Sequence, residues 1–202
     1  ILDEDDQVVG AVIVIRDISE KLLKQQEIEY LSSHDFLTDL YNRRYFSEQL
    51  HIFDNPDYYP LALIMLDLNG LKLFNDAYGH EIGDLALREV SNVLKNTFYD
   101  NAIVSRIGGD EFAVIIPNAS IEMIEKKKSE FHEQLKGITI QNIKLTVAIG
   151  YELKRYADQQ IEEILKVAEN YMYRNKLSER HSFRNHAIKA ILKTLTDKYD
   201  AE

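Results

Sequence analysis

The stretch AIVSRIGGDEFAVIIP, residues 102–117, decides the fold of this chain. Runs of β-branched and apolar residues stand on both sides of Gly108-Gly109, and two strands joined by glycines predict a β-hairpin. Glycine permits positive φ and has no Cβ atom, so the turn can approach a ligand closely. Asp110 and Glu111 add two negative charges at the same place. The stretch therefore predicts a central hairpin that also forms one part of an acidic site.

Composition limits the classes of function. The 202 residues are 45% hydrophobic and 29% charged, which is typical of one soluble domain with flanking pieces. A net charge of −10 argues against a nonspecific nucleic-acid binder. The absence of cysteine excludes disulfides, thiolate metal sites and a cysteine nucleophile. The longest apolar run, residues 8–15, is too short to insert in a membrane, where ~20 residues are needed. The lack of cysteine fits a cytoplasmic location, and we expect a piece of a longer protein because the first residue is not methionine.

A second acidic position follows a strand that reads as buried on both faces. Residues 61–66, LALIML, are uniformly apolar, so the strand should be central in the sheet. It leads directly into Asp67-Leu68-Asn69-Gly70. If this strand lies beside the hairpin, Asp67 converges with Asp110 and Glu111. Two carboxylates ~4 Å apart repel by about 1 kcal/mol in water and by about 4 kcal/mol near a protein surface, so the cluster should require a cation.

The candidate ligand atoms indicate which cation the cluster would bind. All of them are oxygens, including the backbone carbonyl of Leu68, and hard oxygen ligands suit Mg²⁺ or Mn²⁺ better than zinc. Metals on acidic strand ends, with glycine amides that can approach a phosphate, favour phosphoryl or nucleotidyl transfer.

The remaining periodicity predicts an α+β fold. Apolar spacing predicts helices over residues 45–53, 83–99, 120–135 and 161–176, and a further strand over 145–151. With the central strand and the hairpin, the core reads βαββαβ. This is the ferredoxin-like topology of nucleotidyl cyclases and polymerase palms, here with flanking helices.

The ends of the chain differ from this core. Residues 1–18 resemble the close of a PAS sensor domain, and residues 19–32 predict a helical signalling linker, either an amphipathic connector or a dimeric coiled coil. The core domain is expected over residues 33–181. Residues 182–202 predict a C-terminal helical extension that packs on the domain or on a partner. It also resembles the linker into an HD-GYP phosphodiesterase domain.

Four blocks in order resemble the GGDEF family of diguanylate cyclases. They are HDFLTDLYNRRYF at 34–46, LIMLDLNGLKLFNDAYGHEIGDLALREV at 63–90, RIGGDEFAVIIP at 106–117 and AENYMYRNKLSER at 168–180. The resemblance implies that two GTP molecules, one on each of two facing copies of the domain, condense to cyclic di-GMP and two pyrophosphates. It also implies two Mg²⁺ or Mn²⁺ ions in each half-site.

The resemblance assigns roles position by position. Asp67, the Leu68 carbonyl and Asp110 would bind the metals. Asp110 would also promote deprotonation of the attacking ribose 3′-hydroxyl, and Glu111 would support it. The implied substrate-binding positions are Gly70, Leu71, Lys72, Asn75, Asp84, Gly108, Gly109, Lys176 and Arg180.

Within that set, the contacts differ in kind. Asn75 and Asp84 would bind guanine, and Lys176 and Arg180, one helical turn apart, would neutralise the terminal phosphates. The backbone amides of Gly70 and Leu71, with Lys72 and the two hairpin glycines, would approach the other phosphate oxygens. Arg106 is read either as a further phosphate contact or as an ordinary surface charge.

Two departures from the family pattern matter. Asn69 stands where the family often has aspartate, and residues 99–102, Tyr-Asp-Asn-Ala, lack the Arg-x-x-Asp of the product-inhibition site, so we expect no inhibition through it. One alternative is a catalytically weak domain that senses GTP or binds cyclic di-GMP. A cyclase with relaxed purine choice is disfavoured by Asp84, and a polymerase palm by the net charge and the other family blocks.

Overall fold

The computed structural model describes residues 17–199; in the last helix it describes side chains up to Glu179 and at Ile188, Lys189 and Leu192. The helices are α1 Ser19–Ser33, α2 Arg43–Phe53, α3 Leu71–Tyr78, α4 His80–Phe98, α5 Ile121–Lys136 and α6 Ile161–Tyr199. The strands are β1 Tyr41–Asn42, β2 Leu61–Leu68, β3 Ile103–Arg106, β4 Glu111–Ile116, β5 Thr139–Ile140, β6 Ile143–Lys144 and β7 Val147–Lys154. A 3₁₀ turn, Pro56–Tyr58, precedes β2.

The chain divides into two compact units, Ile1–Ser32 and Ser33–Glu202. In the first, the structure describes α1, a helix that buries none of its residues. The PAS-like segment predicted over residues 1–18 lies almost wholly outside the described residues. No helix in the described part of the chain combines the length and the apolarity that crossing a bilayer requires.

The second unit is built on a five-stranded sheet in the order β1-β3-β4-β2-β7. β2 pairs antiparallel with both β4 and β7, and β3 pairs antiparallel with β4. Together with α4 between β2 and β3, and α5 between β4 and β7, this order is the predicted ferredoxin-like βαββαβ arrangement. Two-residue β1 extends the edge by pairing parallel to β3, which makes the sheet mixed.

All eight residues of β2 are buried, as the uniformly apolar run predicts. Alternate side chains point to opposite faces of a strand. Ala62, Ile64, Leu66 and Leu68 accordingly join the core that contains α4 and α5. Leu61, Leu63 and Met65 join the core that contains α2 and α6. By the same alternation, Asp67 belongs to the α6 face.

Gly150 allows α6 to lie close against β7. A Cβ atom built at this position would overlap the backbone nitrogen of Met172 and the carbonyl oxygen of Ala168. Both atoms belong to the backbone of α6, so a larger residue would have to move the helix. The side-chain amide of Asn175 adds a bond of 2.6 Å to the carbonyl oxygen of Ile149.

The structure differs from the predicted elements in several places. α6 is one helix of 39 residues, whereas two helices were predicted on either side of residues 177–181. That stretch contains neither glycine nor proline, so nothing in it breaks the helix. α3 was not predicted, and α4 begins at His80 rather than Gly83, because the break falls at Gly79, where φ is +86°. The short hairpin β5–β6 was also missed.

Candidate active site

The end of β2 meets the hairpin between β3 and β4. Asp67 is the register partner of Glu111 across the β2–β4 pair. One residue further, the backbone amide of Leu68 donates to the carbonyl oxygen of Asp110 at 2.9 Å. Asp67, Leu68, Asp110 and Glu111 are therefore brought to one edge of the sheet, as the sequence predicts.

Lys176 of α6 extends a positive charge into this edge. Its ammonium nitrogen lies 2.6 Å from Asp67 Oδ2 and 3.8 Å from Asp110 Oδ2. Asp67 is only 3% exposed, whereas the Asp110 side chain is 38% exposed. The two carboxylates thus form a pair, one buried and one open, with a cationic group between them.

The negative charge of the Asp67 carboxylate is poorly compensated by its surroundings. Burial raises its pKa to about 6; the negative charges of Asp110 and Glu111 act in the same direction, and the bond from Lys176 opposes them. Its second oxygen, Oδ1, is buried and has no hydrogen-bond partner in the described part of the chain. A buried carboxylate with an unused oxygen is a group to which a divalent cation can bind.

The three acidic side chains meet at this edge of the sheet, but they do not form a metal site of three carboxylates. Within residues 17–179, no group of three or more histidine, aspartate or glutamate side chains is arranged to hold a metal. The carboxylate of Glu111 instead lies against Gly108, where an added Cβ would be 2.6 Å from Glu111 Oε2. Two carboxylates, Asp67 and Asp110, and the neighbouring Leu68 carbonyl are the oxygen ligands that remain. They are hard donors that fit Mg²⁺ or Mn²⁺.

The glycines of the hairpin contribute small size rather than unusual backbone angles. Neither Gly108 nor Gly109 has a left-handed φ; in the described residues, the glycines that do are Gly70 and Gly79. A Cβ added at Gly109 would meet no atom within 4 Å, so this position faces open space. The amides of Ile107 and Gly108 both donate to the carbonyl oxygen of Glu111, which closes the turn.

Arg106 supports the turn from outside. Its guanidinium donates to the Gly109 carbonyl oxygen at 2.9 Å and to both carboxylate oxygens of Asp35, at 3.1 and 3.3 Å. Burial favours a higher pKa for Asp35, but hydrogen bonds from Thr38 and Arg106 bring the pKa below its ordinary value. The Arg106 side chain is 13% exposed, so reading it as a surface charge was wrong. No sequence pattern indicates this pair, whose members are 71 residues apart.

The predicted phosphate-binding stretch forms the start of α3. Gly70, with φ of +76°, turns the chain out of β2, and its carbonyl oxygen accepts the amides of Leu73 and Phe74. The first amides of a helix have no acceptor within it and are available to an anion. Leu71 and the exposed Lys72 lie in this first turn.

The predicted guanine-binding pair lies across the α3–α4 contact. The amide side chain of Asn75 rests on Gly83, where an added Cβ would overlap Asn75 Oδ1. Asp84 is the next residue of α4, and both polar side chains are half-buried. Gly83 therefore lets Asn75 reach the position beside Asp84.

Asn69 and Glu179 were not predicted as partners. Asn69, 4% exposed, donates from Nδ2 to Thr146 Oγ1 at 3.1 Å and to Glu179 Oε2 at 3.0 Å. The signal available was the amide at a position where the family often has a carboxylate. The side chain of Arg180 lies outside the described part of the structure, so its predicted role stays a prediction.

The chain is similar to proteins of one family. A family model described as "Diguanylate cyclase, GGDEF domain" matches residues 32–182. The probable diguanylate cyclase DgcE of Escherichia coli K12 is 36% identical over 121 residues, which are 58% of this chain and 11% of that protein. The cyclic di-GMP phosphodiesterase PdeB of Shewanella oneidensis is 30% identical over 173 residues, which are 84% of this chain and 20% of that protein.

A solved structure shares the fold. It contains the coiled coil and GGDEF domain of DgcB from Caulobacter crescentus in complex with c-di-GMP, and it aligns with a TM-score of 0.73 at 23% identity. The alignment covers 80% of this chain and 90% of that one. The curated relatives are longer, since the chain spans 11 to 42% of their length.

Proposed function

The chain belongs to the GGDEF family of diguanylate cyclase domains, and from this membership we propose that it condenses two GTP molecules into cyclic di-GMP and two pyrophosphates. The observation that carries the proposal is the pairing of Asp67 and Asp110 around a positive charge at the end of the buried strand β2. Nucleotidyl transfer requires a site of this kind, because negative charge accumulates on the transferring phosphate.

The oxygen ligands where β2 ends beside the hairpin, here called the cation cradle, support binding of a divalent cation. Asp67, the Leu68 carbonyl and Asp110 would hold it, and the unpartnered Oδ1 of Asp67 supplies a free ligand atom. When bound, two Mg²⁺ or Mn²⁺ ions in each half-site would neutralise phosphate charge and favour ionisation of the attacking hydroxyl.

The nucleotide would extend from this cradle along α3. Asn75 and Asp84 would hold the guanine, with Asp84 accepting from the N1–H and amino groups. The amides of Gly70 and Leu71, with Lys72, would contact phosphate oxygens. Gly108 and Gly109 would leave room for the phosphates at the hairpin, and Lys176 and Arg180 would neutralise the terminal ones.

In the reaction, the ribose 3′-oxygen of one GTP attacks the α-phosphorus of the other. The new P–O bond forms as the bond to pyrophosphate breaks, and the hydroxyl proton is released, which Asp110 would promote with Glu111 in support. Each domain holds one nucleotide, so a second copy of the chain must present the other. Catalysis would therefore require a homodimer.

A second candidate is a catalytically weak domain that senses GTP or binds cyclic di-GMP. It is favoured by the similarity to PdeB, a protein named as a phosphodiesterase. On this view Asp67 and Asp110 would serve binding, and another domain would respond to the bound nucleotide.

Incubation with GTP and Mg²⁺, followed by chromatography of the nucleotides, separates the two candidates. We expect cyclic di-GMP and pyrophosphate at a rate per chain that rises with protein concentration. Asp110→Ala should abolish the product, while Asp57→Ala, at an exposed residue of the 3₁₀ turn, should not. GTP binding without product at every concentration would favour the second candidate.

A further inference from the structure

We propose that Asn69 and Glu179 are a matched pair of positioning residues that holds α6 against the end of β2 and thereby sets Lys176 in the cation cradle. The inference rests on the proposed function for its consequence, the binding of the GTP phosphates. It concerns a pair of residues that are 110 positions apart in the chain.

The pair adds a second bond between the same two elements. Lys176 and Glu179 are three residues apart on α6 and so lie on one face of the helix. Asp67 and Asn69 are two residues apart at the end of β2. Lys176 bonds to Asp67 at 2.6 Å and Glu179 accepts from Asn69 at 3.0 Å, so the helix is held at two successive points.

The chemistry of the contact requires an amide at position 69. Both hydrogens of Asn69 Nδ2 are used, one by Thr146 and one by Glu179. An aspartate has no hydrogen to donate, so it would face the Glu179 carboxylate as a like charge at nearly complete burial. Thr146 could rotate its hydroxyl and donate to an aspartate, but the ionised carboxylate of Glu179 has no hydrogen to donate. Asn69 is therefore the complement of Glu179, and its departure from the family pattern reflects this contact.

The consequence concerns the nucleotide. If an aspartate at position 69 repelled Glu179, the middle of α6 would move away from β2 and take Lys176 with it. Contacts to the terminal phosphates would weaken, whereas contacts to the guanine, which lie on α3 and α4, would not. A variant should therefore lose affinity for GTP but not for GMP, which lacks the terminal phosphates.

The test uses four proteins: the unaltered chain, Asn69→Asp, Glu179→Gln and the double variant. Asn69→Asp should weaken GTP binding about tenfold and leave GMP binding within about twofold. The double variant exchanges amide and carboxylate between the two positions, so it should restore GTP affinity. Asn92→Asp, at an exposed position of α4, is the matched control and should change neither affinity.

A second measurement separates this inference from the proposed function. Urea unfolding of the same four proteins, without nucleotide or metal, should show a destabilised Asn69→Asp that Glu179→Gln rescues. Absence of that coupling overturns the inference whether or not GTP binds. If the unaltered chain fails to bind GTP while the coupling is present, the proposed function fails and the pair stands. If Asn69→Asp binds Mn²⁺ more tightly and Glu179→Gln does not alter its GTP affinity, Asn69 belongs to the metal site and the inference is wrong.

Discussion

The ammonium of Lys176 donates a 2.6 Å hydrogen bond to the carboxylate of Asp67, across 109 residues of chain. Asp67 is buried and Lys176 is half-buried, so the bond is shielded from water. The same ammonium would serve two partners in turn: the carboxylates when the cradle holds no metal, and the terminal phosphates when nucleotide binds. Removal of this ammonium should therefore affect metal binding and nucleotide binding differently.

Replacing Lys176 with glutamine should change metal and nucleotide affinity in opposite directions. Without nucleotide, Mn²⁺ should bind about tenfold more tightly, because the competing ammonium is gone. GTP should bind about tenfold more weakly, because a phosphate contact is lost. Electron paramagnetic resonance of Mn²⁺ and calorimetry with GTP measure the two. Lys166→Gln, at an exposed lysine of the same helix, should change neither, and a fall of both affinities together would contradict the competition.

Asp67 should make the metal-free protein less stable as the pH rises. Its pKa is about 6 in the folded protein against an ordinary value of 3.8, so between these pH values the folded state holds a proton that the unfolded chain has released. The free energy of unfolding therefore falls through this window, by up to about 3 kcal/mol. Asp67→Asn cannot titrate, so its stability relative to the unaltered protein should improve by that amount between pH 4 and pH 7.5.

Urea unfolding at a series of pH values, with EDTA present, measures this difference. Asp57→Asn, at an exposed aspartate of the 3₁₀ turn, is the comparison variant for the same charge change. A flat difference for Asp67→Asn would show that the buried carboxylate does not titrate in this range.

Loss of the Arg106 side chain should loosen the hairpin. Arg106→Ala leaves the partly buried Asp35 without its cation and the Gly109 carbonyl without its donor, so we expect a loss of about 2 kcal/mol in the free energy of unfolding. Cyclic di-GMP formation should fall as well, because Asp110 follows Gly109 directly. Chemical denaturation and the chromatographic assay measure these effects.

The comparison variant for Arg106 is Arg44→Ala. Arg44 lies 3.8 Å from Glu48 in an exposed pair on α2, and such pairs contribute less than about 1 kcal/mol. Equal effects of the two substitutions would mean that the arginine in the hairpin does not stabilise the turn.

Gly83→Ala should impair base recognition without unfolding the protein. The new methyl group would displace the Asn75 amide, so GTP affinity should fall about tenfold and the preference for GTP over ATP should shrink. Alanine is favoured over glycine within a helix by about 1 kcal/mol, which offsets part of the steric cost. Competition binding with both nucleotides measures this, with Asn92→Ala on the same helix as control. Unchanged discrimination would remove Asn75 from the guanine site.

Much of the fold was predictable because its signals are local. The β-branched runs on both sides of Gly108-Gly109 predict the hairpin, and the uniformly apolar run before Asp67 predicts the central strand. The meeting of Asp67 with Asp110 follows once the two strands are neighbours. The position of Glu111, whose side chain folds onto Gly108, could not be predicted, since it depends on a rotamer and not on spacing.

The pairs that support the site were not predictable for a related reason. Arg106 with Asp35 and Asn69 with Glu179 join distant parts of the chain, and neither helical nor strand periodicity says which polar side chains will meet. The unbroken course of α6 was missed because residues 182–202 were predicted as a separate helical extension. A polar side chain does not remove a helix hydrogen bond, whereas proline does and glycine lowers the helix propensity.

Gly150 has no functional group, yet it sets the reach of one that does. Because no methyl group separates β7 from the backbone of α6 at Met172, the helix lies at a depth from which Lys176, one turn further on, spans the remaining gap to Asp67. The absence of a Cβ atom at position 150 therefore sets the distance between the Lys176 ammonium and the carboxylate of Asp67. A change in the packing of this interface would therefore alter electrostatics at a site that it does not touch.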